Sequence, residues 1–265
     1  MDGAAAKLLT DNIRLTDITR TFSVGAKPVY ALRDVSLFCD AGSFTALIGP
    51  SGCGKSTMLR IIAGLEQPDA GSVLIGGQTP QVKCRTGALG VAFQDSALLP
   101  WRTVRQNIAL PLQVLKRSSS SAQDKIDGLI ELVGLRGFEN ARPAQLSGGM
   151  RQRVSIARTL VTDPSVLLMD EPFGALDQIL RRNMNIELQR VWMANRATTL
   201  LVTHGIDEAL FLADRVVVMH RNPGRIARIV DIPFERPRVP ELFSAPEFHA
   251  LEDEIAAHLY GGATP

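Results

Sequence analysis

The residues of this chain best suited by type and spacing to do chemistry begin with a glycine-rich stretch that ends in lysine and serine. It consists of Gly49, Pro50, Ser51, Gly52, Cys53, Gly54, Lys55, Ser56 and Thr57. Glycines let successive backbone N–H groups turn towards an anion, and a following helix points its positive end at the same place. Lys55 can pair with the β- and γ-phosphates of a nucleotide, and the Ser56 hydroxyl can ligate Mg²⁺. The stretch therefore predicts a phosphate loop. Cys53 lies inside this loop and is interpreted as a small spacer. The alternative interpretation is that its oxidation blocks nucleotide binding.

Two adjacent carboxylates, Asp170 and Glu171, follow the apolar run Val166–Met169. The run predicts a buried parallel strand, and open α/β sheets bind ligands at the carboxyl ends of such strands. Adjacent side chains on an extended chain point in different directions, so one can face a metal ion and the other an attacking water. We expect Asp170 to contact Mg²⁺ through water, and Glu171 to act as general base or to orient the water.

A second glycine-rich turn, Ser147-Gly148-Gly149, lies between these two motifs within the stretch 146–153. It precedes a predicted helix whose inward face carries Met150, Val154, Ala157 and Val161. A glycine-rich turn at a helix N-terminus is again suited to bind an anion. Its place between the two halves of a nucleotide site predicts how the nucleotide is used: two copies of the chain clamp it between them.

The bulk properties are those of a folded globular protein. Of the 265 residues, 45% are hydrophobic and 21% charged, and the net charge of +2 gives no strong field for nucleic acid. No apolar run reaches the roughly 18 residues that would span a bilayer. Residues 1–7 lack the order of a signal peptide, so we expect a cytosolic chain. The three cysteines lack metal-ligand spacing and are expected to be reduced.

The elements that must position these motifs follow from apolar patterning. Residues 12–40 predict half-buried antiparallel strands, and Phe44–Ile48 predicts the strand that enters the phosphate loop. After the loop a helix is expected to end at Gly64. Short Val- and Leu-rich runs predict a parallel sheet with helices between its strands, namely Leu89–Phe93, Val166–Met169, Leu200–Thr203 and Arg215–Met219.

Between Gln94 and Leu146 helix-like segments replace the strands, which predicts an inserted helical subdomain, with an exposed turn at Ser118–Ser121. From Pro233 the chain is rich in proline and ends in an amphipathic stretch. Its apolar face carries Phe248, Leu251, Ile255 and Leu259.

Taken together, the motifs resemble the ATPase subunit of an ATP-binding-cassette (ABC) transporter over about residues 12–235. They occur in the family's order: the phosphate loop, Gln94, the signature from Leu146 to Gln152, Asp170-Glu171, the loop 174–177 and His204. The resemblance implies an α/β fold, a P-loop NTPase ABC ATPase core. It also implies an N-terminal antiparallel β-subdomain and a helical subdomain inserted at about 95–160. Residues 236–265 remain as a short tail with an amphipathic helix.

The resemblance also implies roles for individual residues. Gln94 would contact Mg²⁺ and the attacking water, and His204 would contact the γ-phosphate as a switch. Asp177 would cross the dimer interface. The γ-phosphate held by a partner subunit would be bound by Ser147, Gly148 and Gly149. Alone, Gln94 could be a loop amide and His204 a satisfied strand-end histidine; their place among the other motifs favours the catalytic roles.

Members of the family stack an aromatic ring on adenine, and two residues here could supply it. Phe22 closes a segment that resembles the family's own, so it is favoured over Tyr30, which could equally pack on the core. There is one departure from the family pattern. Gly205 follows His204 where an aspartate is common, which loosens the backbone at the switch.

Two stretches resemble the importer ATPases of the nitrate, sulfonate and taurine group. They are 93–104 and 222–226, the latter followed by Pro237-Arg238. Within the first, Leu98–Arg102 is expected to line a groove for a cytoplasmic helix of the membrane subunit, with Trp101 as its apolar anchor. A core tryptophan is the alternative interpretation of Trp101.

We therefore expect an ATP- and Mg²⁺-dependent transport ATPase at the cytoplasmic face of the inner membrane. Its partners would be a second ATPase subunit (a homodimer or a paired cassette), transmembrane permease subunits and, indirectly, a periplasmic solute-binding protein, but no nucleic acid. Two rivals remain: a cassette acting on DNA or the ribosome, and a degenerate cassette that only scaffolds. This chain lacks the coiled-coil insertions expected of the first rival. Its intact Lys55, Glu171 and His204 argue against the second.

Overall fold

The computed structural model of the chain describes residues 11–24, 27–117 and 119–260. The prediction that residues 1–7 do not form a signal peptide concerns residues outside these ranges, as does Ser118 of the predicted turn at Ser118–Ser121. Ser120 and Ser121 of that predicted turn lie instead at the start of a helix. Within the described ranges, no helix is both long enough and apolar enough to cross a bilayer.

Nine named strands form two sheets within the described residues. They are β1 (Ile13–Val24), β2 (Lys27–Cys39), β3 (Phe44–Ile48), β4 (Ala70–Ile75), β5 (Leu89–Ala92), β6 (Val166–Asp170), β7 (Thr198–Val202), β8 (Arg215–His220) and β9 (Arg225–Asp231). The smaller sheet is antiparallel in the order β2-β1-β4, which confirms the antiparallel strands predicted for residues 12–40. The larger sheet has the order β5-β6-β7-β3-β8-β9.

The larger sheet is parallel except at β9, which runs antiparallel to β8. Every residue of β3, β6 and β7 is buried, as expected for strands covered on both faces. Side chains alternate between faces, so Phe44, Ala46 and Ile48 enter one hydrophobic cluster while Leu47 enters the other. The predicted parallel sheet is confirmed, with strand ends within two residues of those expected. The edge strands β4 and β9 were not predicted.

The helices cover both faces of this sheet. They are α1 (Lys55–Ile62), α2 (Pro80–Arg85), α3 (Val104–Val114), α4 (Ser120–Leu132), α5 (Gly148–Leu160), α6 (Gln178–Asn195), α7 (Ile206–Leu212) and α8 (Pro246–Tyr260), with 3-10 turns at Pro143–Gln145 and Pro240–Ser244. Gly64, with a φ of 71°, follows the end of α1 as predicted.

Helices α3, α4 and α5 lie between β5 and β6 in the chain and form the predicted helical insertion. A capping box at Thr103 and Gln106 starts α3. Residues of the insertion and of the sheet belong to one hydrophobic cluster. In the inward face predicted for α5, Val154, Ala157 and Val161 are fully buried, and Met150 is partly buried against the same cluster. The helix that follows the signature therefore packs in the same hydrophobic core as the sheet.

The segment after β9 packs onto α7. The guanidinium of Arg238, which is 3% exposed, donates to the carbonyls of Leu210 and Ala213 at 2.8 and 2.7 Å. These carbonyls lie at the end of α7, where helices leave acceptors unsatisfied. Phe248 and Ile255 of α8 lie in the same hydrophobic cluster as the sheet. The division into a domain at 12–235 and a tail from 236 stays a prediction.

Candidate nucleotide site

The phosphate loop connects β3 to α1, and its shape depends on glycine. Gly54 has a φ of 96° and immediately precedes α1. A Cβ atom at Gly54 would lie 2.4 Å from the Ala31 carbonyl oxygen and 2.7 Å from Cδ2 of Leu32. Only glycine fits both this conformation and this close approach of β2. The small sheet therefore supports the loop from behind.

Lys55 lies inside the curve of the loop and is 5% exposed. Its Nζ donates to the carbonyl oxygens of Gly49 and Pro50 at 2.7 and 3.2 Å. A positive charge is thus fixed where the loop would receive phosphate. Cys53 is fully buried, and burial raises the pKa of its thiol, which favours the small-spacer interpretation. Cys39, Cys53 and Cys84 are free thiols, as expected.

The residues predicted to hold Mg²⁺ meet at the carboxyl edge of the sheet. The Ser56 hydroxyl donates to Asp170 Oδ1 at 3.1 Å, joining the start of α1 to the end of β6. Burial raises the pKa of Asp170, and the hydrogen bond from Ser56 lowers it by a smaller amount. The amide of Gln94 donates to the neighbouring Glu171 at 3.2 Å. Hydroxyl, amide and carboxylate oxygens are the donors that Mg²⁺ prefers, so the set fits this ion.

Glu171 is held from two sides at the same edge. Its φ of 49° is uncommon for a residue with a side chain, and the turn follows directly after Asp170. Its Oε1 lies 2.6 Å from Nε2 of His204, while Oε2 accepts from Gln94. The structure thus brings all three predicted catalytic residues together. One carboxylate is oriented by an amide and an imidazole beside the phosphate loop.

The signature turn lies at the start of α5. Ser147 caps this helix by accepting from the Met150 N–H at 3.2 Å. A Cβ at Gly149 would lie 2.7 Å from Leu176 of the loop 174–177, whereas one at Gly148 would meet nothing closer than 3.8 Å. Asp177 caps α6 by accepting from Leu180 at 2.9 Å. Ser147, Gly148 and Asp177 are exposed, and their roles towards a partner subunit stay predictions.

The two aromatic residues proposed for adenine lie on the same β1–β2 hairpin. Phe22 pairs with Val29 and Tyr30 with Thr21, one register step apart. Phe22 and Tyr30 are 39% and 44% exposed, so both rings are accessible. Trp101 is 67% exposed, and the core interpretation of this residue is therefore wrong.

A buried carboxylate that was not among the predicted site residues lies behind this site. Glu208 of α7 lines a cavity together with Glu171, His204 and Arg181, and it is 4% exposed. Only its three-dimensional surroundings single it out, because its sequence context, Asp207-Glu208-Ala209, is ordinary for the family.

Comparisons with known proteins agree with this geometry. The family model described as ABC transporter matches residues 32–174. The chain is 42% identical over 264 residues to the nitrate import ATP-binding protein NrtD of Synechococcus elongatus, covering 98% of this chain and 96% of that protein. It is 40% identical over 233 residues to the aliphatic sulfonates import ATP-binding protein SsuB of Bacillus cereus, covering 87% and 91%.

Among solved structures, the chain is similar to a dimeric post-hydrolysis state of the ATP-binding cassette MJ0796 bound to ADP and Pi. The TM-score is 0.76 at 32% identity, covering 84% of this chain and all of that one. The fold and the site define an ATP-binding cassette with ATP-hydrolysing activity. The chain belongs to the ABC transporter family, and the predicted fold class and enzyme class are confirmed.

Proposed function

We propose that this chain is the ATP-hydrolysing subunit that drives an importer for nitrate, a sulfonate, taurine or a related small organic solute. The observation that carries the catalytic part is Glu171, held between Gln94 and His204 beside the phosphate loop. Support for the solute class comes from the nitrate and sulfonate import relatives, which match nearly the whole chain.

The phosphate loop binds the nucleotide. Its backbone N–H groups and the N-terminus of α1 receive the triphosphate, and Lys55 moves from its carbonyl partners to the β- and γ-phosphates. Ser56 and Gln94, with Asp170 acting through water, would hold Mg²⁺. When bound, this ion neutralises charge on the β- and γ-phosphates. Phe22 stacks on the adenine.

Glu171 then orients the water that attacks the γ-phosphate and accepts its proton. Gln94 and His204 fix the two carboxylate oxygens, so little reorganisation is needed when the water arrives. His204 also reaches the γ-phosphate and so distinguishes ATP from ADP.

A second cassette completes the site. The turn Ser147-Gly148-Gly149 of one copy closes over the γ-phosphate bound by the other, and Asp177 crosses between them. Exposure of Ser147, Gly148 and Asp177 supports this arrangement, as does the dimeric state of the MJ0796 cassette. Loss of the γ-phosphate contacts reopens the pair.

Closure and reopening are passed to the membrane through the helical insertion. Trp101, exposed on the segment leading into α3, anchors a cytoplasmic helix of a permease subunit. The chain would then lie peripherally at the cytoplasmic face of the membrane, and a periplasmic binding protein would select the solute without touching it.

The test is Glu171→Gln, with Glu187→Gln as the control, because Glu187 lies on α6 in an exposed pair with Arg190. The amide keeps the size of the side chain but cannot accept a proton. We expect ATP binding within about twofold of wild type and turnover reduced by about 10²–10⁴-fold. Steady-state ATPase and equilibrium ATP titration measure the two effects. Turnover near wild type in Glu171→Gln would refute the assignment, and a wild-type chain without ATPase would favour the scaffold.

A further inference from the structure

Behind the site, Glu208 is a carboxylate that the hydrolysis mechanism above does not use. It lies on α7 and is 4% exposed. One of its oxygens, Oε2, accepts a hydrogen bond from the Thr203 hydroxyl, and the other, Oε1, is buried without a hydrogen-bond partner. Burial raises the pKa of Glu208 to about 7, while the Thr203 hydrogen bond and Arg181 act in the opposite direction. An apolar side chain would fill this position at lower cost, because a buried carboxyl loses its hydration.

Thr203 connects Glu208 to the turn that carries His204. The same hydroxyl that donates to Glu208 accepts the backbone N–H of Gly205 at 3.0 Å. One side chain thus holds the residues on both sides of His204 in place. A local side-chain bond of this kind defines the turn.

Gly205 makes this bracing necessary. Glycine has the widest backbone freedom of any residue. A Cβ at Gly205 would lie 2.9 Å from Oδ1 of Asp207, which itself accepts the Glu208 N–H at 2.8 Å. The turn is therefore shaped by Thr203 and its neighbours on α7, with no side chain at 205.

We propose that Glu208 is a positioning residue, which acts through Thr203 to hold His204 at hydrogen-bonding distance from Glu171. The linked contacts run from Glu208 to the Thr203 hydroxyl, along the backbone of the turn, and from His204 Nε2 to Glu171 Oε1 at 2.6 Å. The inference rests on the proposed role of His204 and extends it to two buried residues, Thr203 and Glu208.

The test uses the purified full chain and two pairs of variants. Glu208→Ala and Thr203→Val remove the bracing bond, whereas Glu208→Gln and Thr203→Ser keep an acceptor and a hydroxyl. We expect kcat to fall about 10- to 100-fold in the first two, with KM for ATP within about threefold, because a small misplacement of a catalytic group costs rate. The conservative variants should retain most of the wild-type kcat. Glu187→Ala, at the exposed pair on α6, is the control.

A double-mutant cycle with His204→Ala shows whether Glu208 acts through His204. If it does, Glu208→Ala has no further effect on kcat in the His204→Ala background. The ratio of ATP to ADP affinity, measured by calorimetry, gives the same comparison without turnover. The proposal would be overturned if the double mutant lost kcat by the product of the two single-mutant losses. It would also be overturned if Glu208→Gln had a kcat as low as that of Glu208→Ala.

The control outcomes separate this inference from the proposed function. If His204→Ala itself leaves kcat and the ATP-to-ADP affinity ratio unchanged, the role of His204 fails and Glu208 has nothing to position. If His204→Ala is impaired and Glu208→Ala is not, the proposed function stands and the positioning role is refuted.

Discussion

The substitution Gly148→Ala should weaken ATP-driven dimerisation without destabilising the single folded chain. Gly148 is the exposed first residue of α5, and a Cβ there would meet no heavy atom closer than Arg151 at 3.8 Å. Its neighbours are unsuitable, because a Cβ at Gly149 collides with Leu176 and Ser147 is the N-cap of the helix. Alanine has the higher helix propensity, by up to about 1 kcal/mol. The free energy of unfolding of the single chain should therefore stay equal or rise slightly.

Pairing should respond in the opposite direction. In the proposed dimer the glycine turn approaches the γ-phosphate of the other copy, and a methyl group at Gly148 blocks that approach. A lost hydrogen bond to a charged group costs about 1.5–3 kcal/mol. A symmetric dimer contains two such sites, so the loss is about 3–6 kcal/mol, which corresponds to pairing weakened by more than about 100-fold.

The assay is light scattering with ATP in a Glu171→Gln background, where slow turnover lets the dimer accumulate, together with urea unfolding of the nucleotide-free chain. Gly128→Ala is a matched control, since Gly128 is exposed on α4 of the same helical insertion and a Cβ there meets nothing within 4 Å. It should gain stability and pair normally. If Gly148→Ala pairs with ATP as tightly as its parent, the composite site is refuted.

Three further predictions concern other parts of the chain. The folded carboxyl of Glu208, with its pKa raised from 4.5 to about 7, keeps a proton that the unfolded chain releases. Wild-type stability relative to Glu208→Gln should therefore fall by up to about 3 kcal/mol as pH rises from about 4.5 through 7; a pH-independent difference in urea unfolding would contradict this. Phe22→Ala should weaken ATP binding by roughly tenfold through lost stacking, and Tyr30→Ala by less than about twofold, by fluorescence titration; the reverse order would assign the adenine to Tyr30. Trp101→Ala should abolish co-purification with permease subunits while the isolated chain keeps its ATPase; unchanged co-purification would exclude Trp101 as the anchor.

The sequence predicted the core of the fold well, because the central strands are buried on both faces and so are apolar throughout. Phe44–Ile48 was located to the residue. The edge strands β4 and β9 were missed, since most of their side chains are exposed and no apolar run marks them. The pairing of β4 with β1 joins segments about 50 residues apart, whereas β9 pairs with the strand directly before it, β8.

The candidate site was also predicted largely from motif order, and the structure brings Gln94, Glu171 and His204 into contact. Glu208 could not be found in this way. Its importance comes from burial and from the Thr203 hydroxyl, and neither leaves a pattern in the sequence. Ser147 also caps α5, a role beyond the predicted contact with a partner's γ-phosphate.

The position of β3 in the middle of the larger sheet has a consequence for biosynthesis. This strand, which leads into the phosphate loop, is complete at residue 48, yet both its neighbours, β7 and β8, come from residues 198–220. A nascent chain still on the ribosome carries the loop without the two strands that hold it. Such non-local pairing forms late, so ATP capture should begin only after residues 198–220 have been synthesised. Nucleotide would then stabilise finished cassettes and leave incomplete ones exposed to proteolysis.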